Sequence, residues 1–303
     1  MIVQKIPSFI DKLRHDGPSE AFGAAFEYLA GDVYSHLFLP QISRLRLQVA
    51  YGDAAPKPWT LLNISPKEIE YLLVPPYWND GISYTNIDVR SGDWDRPEED
   101  LTINVSRHKI DSRAAIPFRT DRYGWYNSVK QRVQEGVAWC ETSAYDYFES
   151  AYSEERARQK GEHIDRLCES IRSNGYRAPS ELDRSDPDYA PGFRHPNYNT
   201  IIVDIGRDGS FIFEDGKNRA CLAKVLDVET VPVRVLVRHE KWQEVREEVH
   251  AAETVDELSD RAKRHLDHPD IRPFAFDLQG VADDRSQLIK GRDSSREPPV
   301  HSV

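Results

Sequence analysis

Apolar positions recur at helical spacing through the first fifty residues. Phe22, Phe26 and Leu29 follow a capping Ser19, and Ile42, Leu45 and Val49 resume the period beyond Pro40, which breaks or kinks the segment. The turn-rich stretch 52–58 bounds this 1–52 helical segment. From Trp59 the texture changes. Residues 60–64 read as a short strand, and Ser65-Pro66 opens a turn or short helix ending near Leu73, stopped by Pro75-Pro76. Residues 84–89 alternate as a strand and lead into the loop Ser91-Gly92-Asp93-Trp94-Asp95. The polar section to about Asp121 has no readable period, and Phe118 to Tyr123 reads as a loop.

Farther on, Tyr126, Val129, Val133 and Val137 space out along one helix, and Thr142 caps a second that continues past Tyr152. Ile164, Leu167, Cys168 and Ile171 mark a third, which Asn174-Gly175 terminates. Residues 201–203 and 211–213 are strands joined through Arg207-Asp208-Gly209, where Asp-Gly suits a hairpin turn. A helix over 217–226, a β-branched strand over 231–237, a charged helix over 239–250 and an amphipathic helix over 254–266 follow. Beyond Gln279 the chain is charged and poor in core residues, the signature of a disordered tail. The pattern predicts an α+β chain: the helical segment 1–52, a core over 59–250 with a helical insertion at about 75–160, a C-terminal helix within 251–278, and the tail 279–303.

Composition narrows the function classes. The 303 residues carry 51 acidic against 40 basic side chains, a formal charge of −11, which disfavours a protein that coats nucleic acid. The three cysteines, Cys140, Cys168 and Cys221, form no CxxC pair, so reduced thiols in a cytoplasmic compartment are expected. The longest stretch without Asp, Glu, Lys or Arg spans only 33–43, too short for a membrane span of about 20 residues. The first residues lack the uninterrupted apolar core of a signal peptide.

The chemistry concentrates where a strand passes through Glu214-Asp215-Gly216 into the first turn of a helix. Helix N-termini present unpaired N–H groups and partial positive charge, which suit phosphate. Gly216 allows close approach to the backbone, Lys217 and Arg219 add positive charge, and Asn218 adds an amide. The bland alternative makes Asp215 an N-cap, Gly216 a turn residue and Lys217 a solvated charge.

The surrounding series resembles the ParB/sulfiredoxin-like superfamily. Leu167-Cys168-Glu169-Ser170-Ile171-Arg172-Ser173-Asn174-Gly175 is similar to that family's helix ending in Asn-Gly. Pro179, the strand at 201–203, the turn Asp208-Gly209, then Asp215-Gly216-Lys217-Asn218-Arg219, Ala223, Leu226 and Val231-Pro232-Val233 follow in order. The resemblance covers 164–239, about a quarter of the chain, with 59–64 as the family's opening strand. It implies a small mixed sheet with a nucleotide pocket. Phosphates of ATP or CTP would lie on Gly216, Lys217, Asn218 and Arg219, with Asn174 and Gly175 beside the nucleotide and Mg²⁺ as a companion. Members include CTP-hydrolysing partition proteins, ATP-using sulfinic acid reductases and a free-serine kinase. The expectation is an NTP-dependent phosphotransferase or NTPase acting on a small-molecule acceptor. Asn218 stands where members commonly carry His or Arg, and Lys217 replaces the reductase's Cys, which removes reductase chemistry. The second phosphate motif and the helix-turn-helix of a partition protein are missing. A DNA-associated clamp or nuclease is one alternative, and a degenerate, non-catalytic interaction module another.

Other residues are eligible for catalysis. Asp93 and Asp95, two apart after a strand, suit Mg²⁺ held with nucleotide phosphates, or form an Asp-rich turn around Trp94. Glu68, Glu70, Glu214 and Asp215 are equally eligible as the acid that orients a nucleophile, with Asp93 or Asp95 preferred. His239 is either a base or the cap of the following helix, with Trp242 and Arg246 on the same face. His265 and His268 have ligand spacing but no third partner, and read as a solvated face without metal.

Overall fold

The computed structural model describes residues 34–74, 87–103, 116–151, 153–182, 197, 200–275 and 278. The Ser19–Leu29 pattern, residues 75–86 and 104–115 of the expected insertion, with the first part of the strand expected at 84–89, and the expected tail lie outside them.

The described strands build one mixed sheet: β1 (Leu61–Ile64), β2 (Ile69–Val74), β3 (Asp88–Arg90), β4 (Ile116–Arg119), β5 (Ile201–Ile205), β6 (Phe211–Asp215) and β7 (Val231–His239). The order is β1-β7-β5-β6-β2-β4, and β3 lies parallel to the second half of β7. Since β5 occupies one edge of β7, β1 and β3 share the other. The hairpin β5–β6 is antiparallel, whereas β5–β7 and β2–β6 are parallel. Strands in such pairs are covered on both faces, so they read as unbroken apolar runs.

The helices around the sheet include α1 (Leu39–Tyr51), α2 (Gly124–Lys130), α3 (Ser143–Ala151), α4 (Glu154–Asn174), α5 (Lys217–Val225), α6 (Glu240–Ala251) and α7 (Asp260–Lys263). One face of the sheet, through Val203, Phe213 and Val235, packs against Trp125, Ile164 and Leu222 of the helices. The other face presents Ile202, Ile212, Leu236 and Leu73 under Trp94. Alternation along the strands separates the two sets. The fully buried Asp204 lies on β5, Glu214 on β6 and Arg234 on β7. Asp204 accepts from the Val237 N–H at 2.9 Å, and the Arg234 guanidinium lies 4.8 Å from the Trp59 ring centroid.

The four helical positions Ile164, Leu167, Cys168 and Ile171 are all buried, and left-handed Gly175 ends α4 as expected. Three expectations are corrected. Helix was one option for 65–73, but only the single turn Pro66–Glu68 is helical, closed by reciprocal Ser65 and Glu68 bonds. The apolar run after it is β2, because short apolar runs carry no period of their own. The unreadable section hides β4, interrupted by Pro117, which the sheet tolerates at an edge strand. The helix over 254–266 is broken into a 3₁₀ turn at Val255–Glu257 and α7, since Ser259 caps a fresh start by accepting from Ala262 N–H.

Lys224, in the last turn of α5, ties that helix to the β1–β2 turn. Its ammonium donates to the Ile69 carbonyl at 2.6 Å and the Pro66 carbonyl at 3.1 Å, and burial pushes its pKa down. Lys224→Met keeps the stem but removes both bonds, leaving the Ile69 carbonyl with Thr120 Oγ1 at 3.2 Å and the Pro66 carbonyl with the Ile69 N–H. Stability falls by about 1–2 kcal/mol, measured by urea unfolding.

Candidate functional site

β6 delivers the chain to Gly216, whose φ of 87° and ψ of 31° place it in the left-handed region. A Cβ there would stand 3.0 Å from Ile201 Cα and 3.1 Å from the Thr200 carbonyl oxygen, so strain and space both demand glycine. The nine-residue helix α5 starts at the next residue, and its N-cap Gly216 has no side chain with which to cap it. A helix start of this kind presents backbone N–H groups and partial positive charge.

The Lys217 ammonium sits 5.2 Å from the Trp125 ring centroid and 5.8 Å from that of Phe148. Lys160 of α4 brings a second ammonium to 5.9 Å from the same Trp125 ring. The ring itself is fixed by stacking on Trp139 at 6.1 Å and by the edge contact of Phe148 at 5.4 Å. Two cations gathered on one indole beside a helix N-terminus make a positively charged rim in an otherwise acidic protein. The Asn218 Oδ1 is buried without a hydrogen-bond partner, an acceptor suited to a hydroxyl or a coordinated water. Arg219 is partly buried in the same turn, Asp215 is partly buried at the end of β6, and Glu214 is fully buried beside it.

Asn174 and Gly175 are not beside this turn. α4 runs alongside α5 with Lys160 near Lys217. At the other end Arg172 donates to the Val133 carbonyl, while Gln134 donates to the Val225 carbonyl at the C-terminus of α5. Fourteen residues of helix, about 21 Å, thus separate Lys160 from Asn174. Both residues are exposed there, at the far end of α4 from Lys160.

Asp93, Asp95 and His239 gather at the opposite end of the β5–β6 hairpin, about 16 Å of strand away from Gly216. Arg207, just beyond β5, grips both carboxylates. Its Nη2 lies 2.7 Å from Asp95 Oδ1 and 2.8 Å from Asp93 Oδ1, and its backbone N–H donates to Asp95 at 2.6 Å. Burial would raise the Asp95 pKa, but these bonds hold it below the usual carboxylate range, and the Arg207 pKa rises in turn. His239 N-caps α6: its Nδ1 accepts from Lys241 N–H at 2.9 Å, which leaves Nε2–H to donate to the Gly92 carbonyl at 2.8 Å. Its ring is committed at both nitrogens, as the capping alternative requires. This cluster is a brace between the loop 91–96 and the hairpin, and it does not meet the glycine turn. It therefore does not fit Mg²⁺ held against phosphates at Gly216; Asp215 and Glu214 are the carboxylates placed there.

His265 and His268 are not a solvated face. His268 stacks on Phe211 at 4.9 Å and meets Trp242 at 4.5 Å. Among the described residues no group of three or more His, Cys, Asp and Glu is disposed to hold a metal ion. Cys168 and Cys221 are buried and Cys140 is exposed, and none of the three is in a disulfide.

Comparison with protein-family models, curated proteins and solved structures finds no match to this chain. Among the described residues no helix is long and apolar enough to cross a membrane.

Proposed function

We propose that this protein binds a nucleoside triphosphate, ATP or CTP, with its phosphates on the N-terminus of α5, in a fold of ParB/sulfiredoxin-like type. The observation that carries the reading is the helix start at left-handed Gly216 with Lys217 and Lys160 gathered over Trp125 at its side. Backbone N–H groups of residues 217–219 and the Arg219 guanidinium grip the phosphates, and the Lys160–Lys217 pair offsets the charge of the outer phosphates. The unpartnered Asn218 oxygen takes a ribose hydroxyl or a water. Phosphoryl transfer or hydrolysis needs an acid that orients the nucleophile, and Asp215 is the carboxylate nearest the turn. Mg²⁺, when bound, would neutralise phosphate charge beside Asp215 and Glu214.

Calorimetric titration with ATP, CTP and GTP, each with Mg²⁺, tests this on wild type and Arg219→Ala. One nucleotide binds the wild type, and the variant binds it about tenfold more weakly or worse. Equal affinities would refute the site. A second reading, a binding module without turnover, is favoured by one observation: the Asp93–Asp95 pair is taken up by Arg207 away from the turn. Nucleotide binding with no phosphate release would select it. A DNA-associated clamp or nuclease remains the reading that salt-sensitive DNA retention would support.

A further inference from the structure

Trp125 is 1% exposed, yet it reaches the rim of the candidate site, because Lys217 and Lys160 both lie against its ring. The two lysines come from different helices, Lys217 from the first position of α5 and Lys160 from the first half of α4. Bringing two ammoniums to one place costs Coulomb repulsion, which the negative face of an indole offsets in part. A bound anion offsets more of it.

Three further elements hold the ring. Trp139, in the 3₁₀ turn Trp139–Glu141, stacks on it with 18° between the planes, and Phe148 of α3 meets it edge-on. Trp139 in turn is fixed to α4. Its Nε1–H donates to Asp165 Oδ1 at 3.0 Å, and Asp165 also accepts from Arg132 Nη2 at 2.9 Å. One turn earlier on α4, Gly161 leaves room for the ring: a Cβ there would stand 2.7 Å from Trp139 Cδ1. A glycine inside a helix costs stability, and here the close approach requires it. Gly161 adjoins Lys160, so the seat of Trp139 on α4 lies one residue from the second lysine. Trp125, Trp139, Phe148 and Lys160 all lie within the expected insertion of about 75–160. The insertion thus supplies one lysine of the pair and the ring that gathers both.

We infer that Trp125 is a positioning residue, acting through Lys160 and Lys217, and that it makes the site select a triphosphate chain over a single phosphate. The inference rests on the proposal that phosphates bind at the start of α5. A single phosphate seated on the N–H groups of residues 217–219 meets the helix start and Lys217. Each further phosphate adds negative charge and reach, and Lys160, on a separate helix but held to the same ring, is the cation it meets.

Calorimetric titration reads the selectivity as a ratio of affinities within each pair: inorganic triphosphate against inorganic phosphate, ATP against AMP, and CTP against CMP. The wild type prefers the triphosphate by about 30-fold or more. Lys160→Met and Trp125→Leu each lower that preference about tenfold, whereas Trp125→Phe keeps most of it. Phenylalanine retains a ring face, and it removes no hydrogen bond, since Trp125 Nε1 is buried without a partner among the described residues. A merely structural loosening lowers both affinities together and leaves the ratio unmoved. Lys160 is only partly buried, so Lys160→Met keeps the fold, as circular dichroism checks, even if Trp125→Leu does not. Selectivity for inorganic triphosphate with no nucleotide bound sustains the inference and overturns the nucleotide. A wild type that binds long and short members alike, or a ratio that Lys160→Met leaves unmoved, overturns the inference. So does a Trp125→Phe variant that loses the preference as fully as Lys160→Met. If Arg219→Ala still weakens binding in those cases, the phosphate site on α5 stands without it. Binding that Arg219→Ala does not weaken, or no binding of any of these compounds, overturns both.

Discussion

Replacing Asp270 by asparagine lowers the free energy of unfolding by about 3–5 kcal/mol, the largest single-residue loss expected outside the apolar core. Asp270 is one buried carboxylate facing two buried guanidiniums. Arg238 approaches it with Nε at 2.9 Å and Nη2 at 2.7 Å in fork geometry, and Arg246 Nη1 stands 2.8 Å from Oδ2. Trp242 Nε1 adds a bond at 3.0 Å. Burial by itself would raise the Asp270 pKa, yet the two arginines outweigh it and hold the carboxyl far below its usual range. Arg246 also reaches the Ala54 carbonyl, so the cluster joins β7, α6, the turn after α1 and the C-terminal segment. Asparagine keeps the shape but leaves two positive charges buried together with no counter-ion. Urea unfolding at neutral pH measures the loss, and a change under about 1 kcal/mol would show that water reaches the guanidiniums. The double variant Asp270→Leu, Arg238→Met recovers part of the loss, because it removes a buried charge from each side.

The parts of this fold that were legible in the sequence are those where a period or a turn residue acts locally. Ile164, Leu167, Cys168 and Ile171 announced α4, Asp208-Gly209 announced the hairpin, and the β-branched run announced β7. What was not legible depends on partners distant in the chain. The stretch up to Leu73 reads as a turn or short helix because nothing in Ile69–Val74 says that β6 and β4 will flank it. His268 looked solvated because its spacing says nothing of Phe211 and Trp242. Ile42, Leu45 and Val49 have the right period for a helix, but the period does not say which face the body takes, and the body took Leu47.

The candidate site divides the same way. Gly216 is written in the chain, because only a residue without a Cβ can follow β6 past Thr200 and Ile201. Trp125 and Lys160 carry no signal in the sequence, since each comes from a different helix and only the fold brings them to Lys217. Asp93 and Asp95 read in the sequence as a carboxylate pair suited to Mg²⁺. Their partner Arg207 is more than 110 residues away in sequence, and it makes them a brace rather than a metal ligand set. Local chemistry located the turn, and long-range pairing decided what surrounds it.

Acidification from neutral pH to about pH 4.5 costs the wild type about 2–3 kcal/mol that a His268→Gln variant retains. The His268 ring is enclosed by Phe211 and Trp242, its Nδ1 accepts from Asp270 N–H at 3.1 Å, and its Nε2–H therefore donates to the Gly209 carbonyl at 3.1 Å. Protonating Nδ1 would set one N–H against another inside an aromatic slot. Burial accordingly lowers the pKa from 6.5 to about 4, and the nearby Asp270 offsets only part of that. Between those two values the unfolded chain binds a proton that the folded chain refuses. Stability is full above pH 6.5, falls as pH drops through the window, and levels off below about 4 as the folded imidazole finally charges. Glutamine can donate to Gly209 and accept from Asp270 without titrating. His265, whose pKa is also lowered by burial, and the depressed carboxylates Asp95 and Asp270 are common to both proteins and cancel in the comparison. Urea unfolding at pH 7 and pH 4.5 on both proteins reads the difference. Equal losses in the two would mean that His268 takes up its proton in the folded state, and that the aromatic slot opens to water.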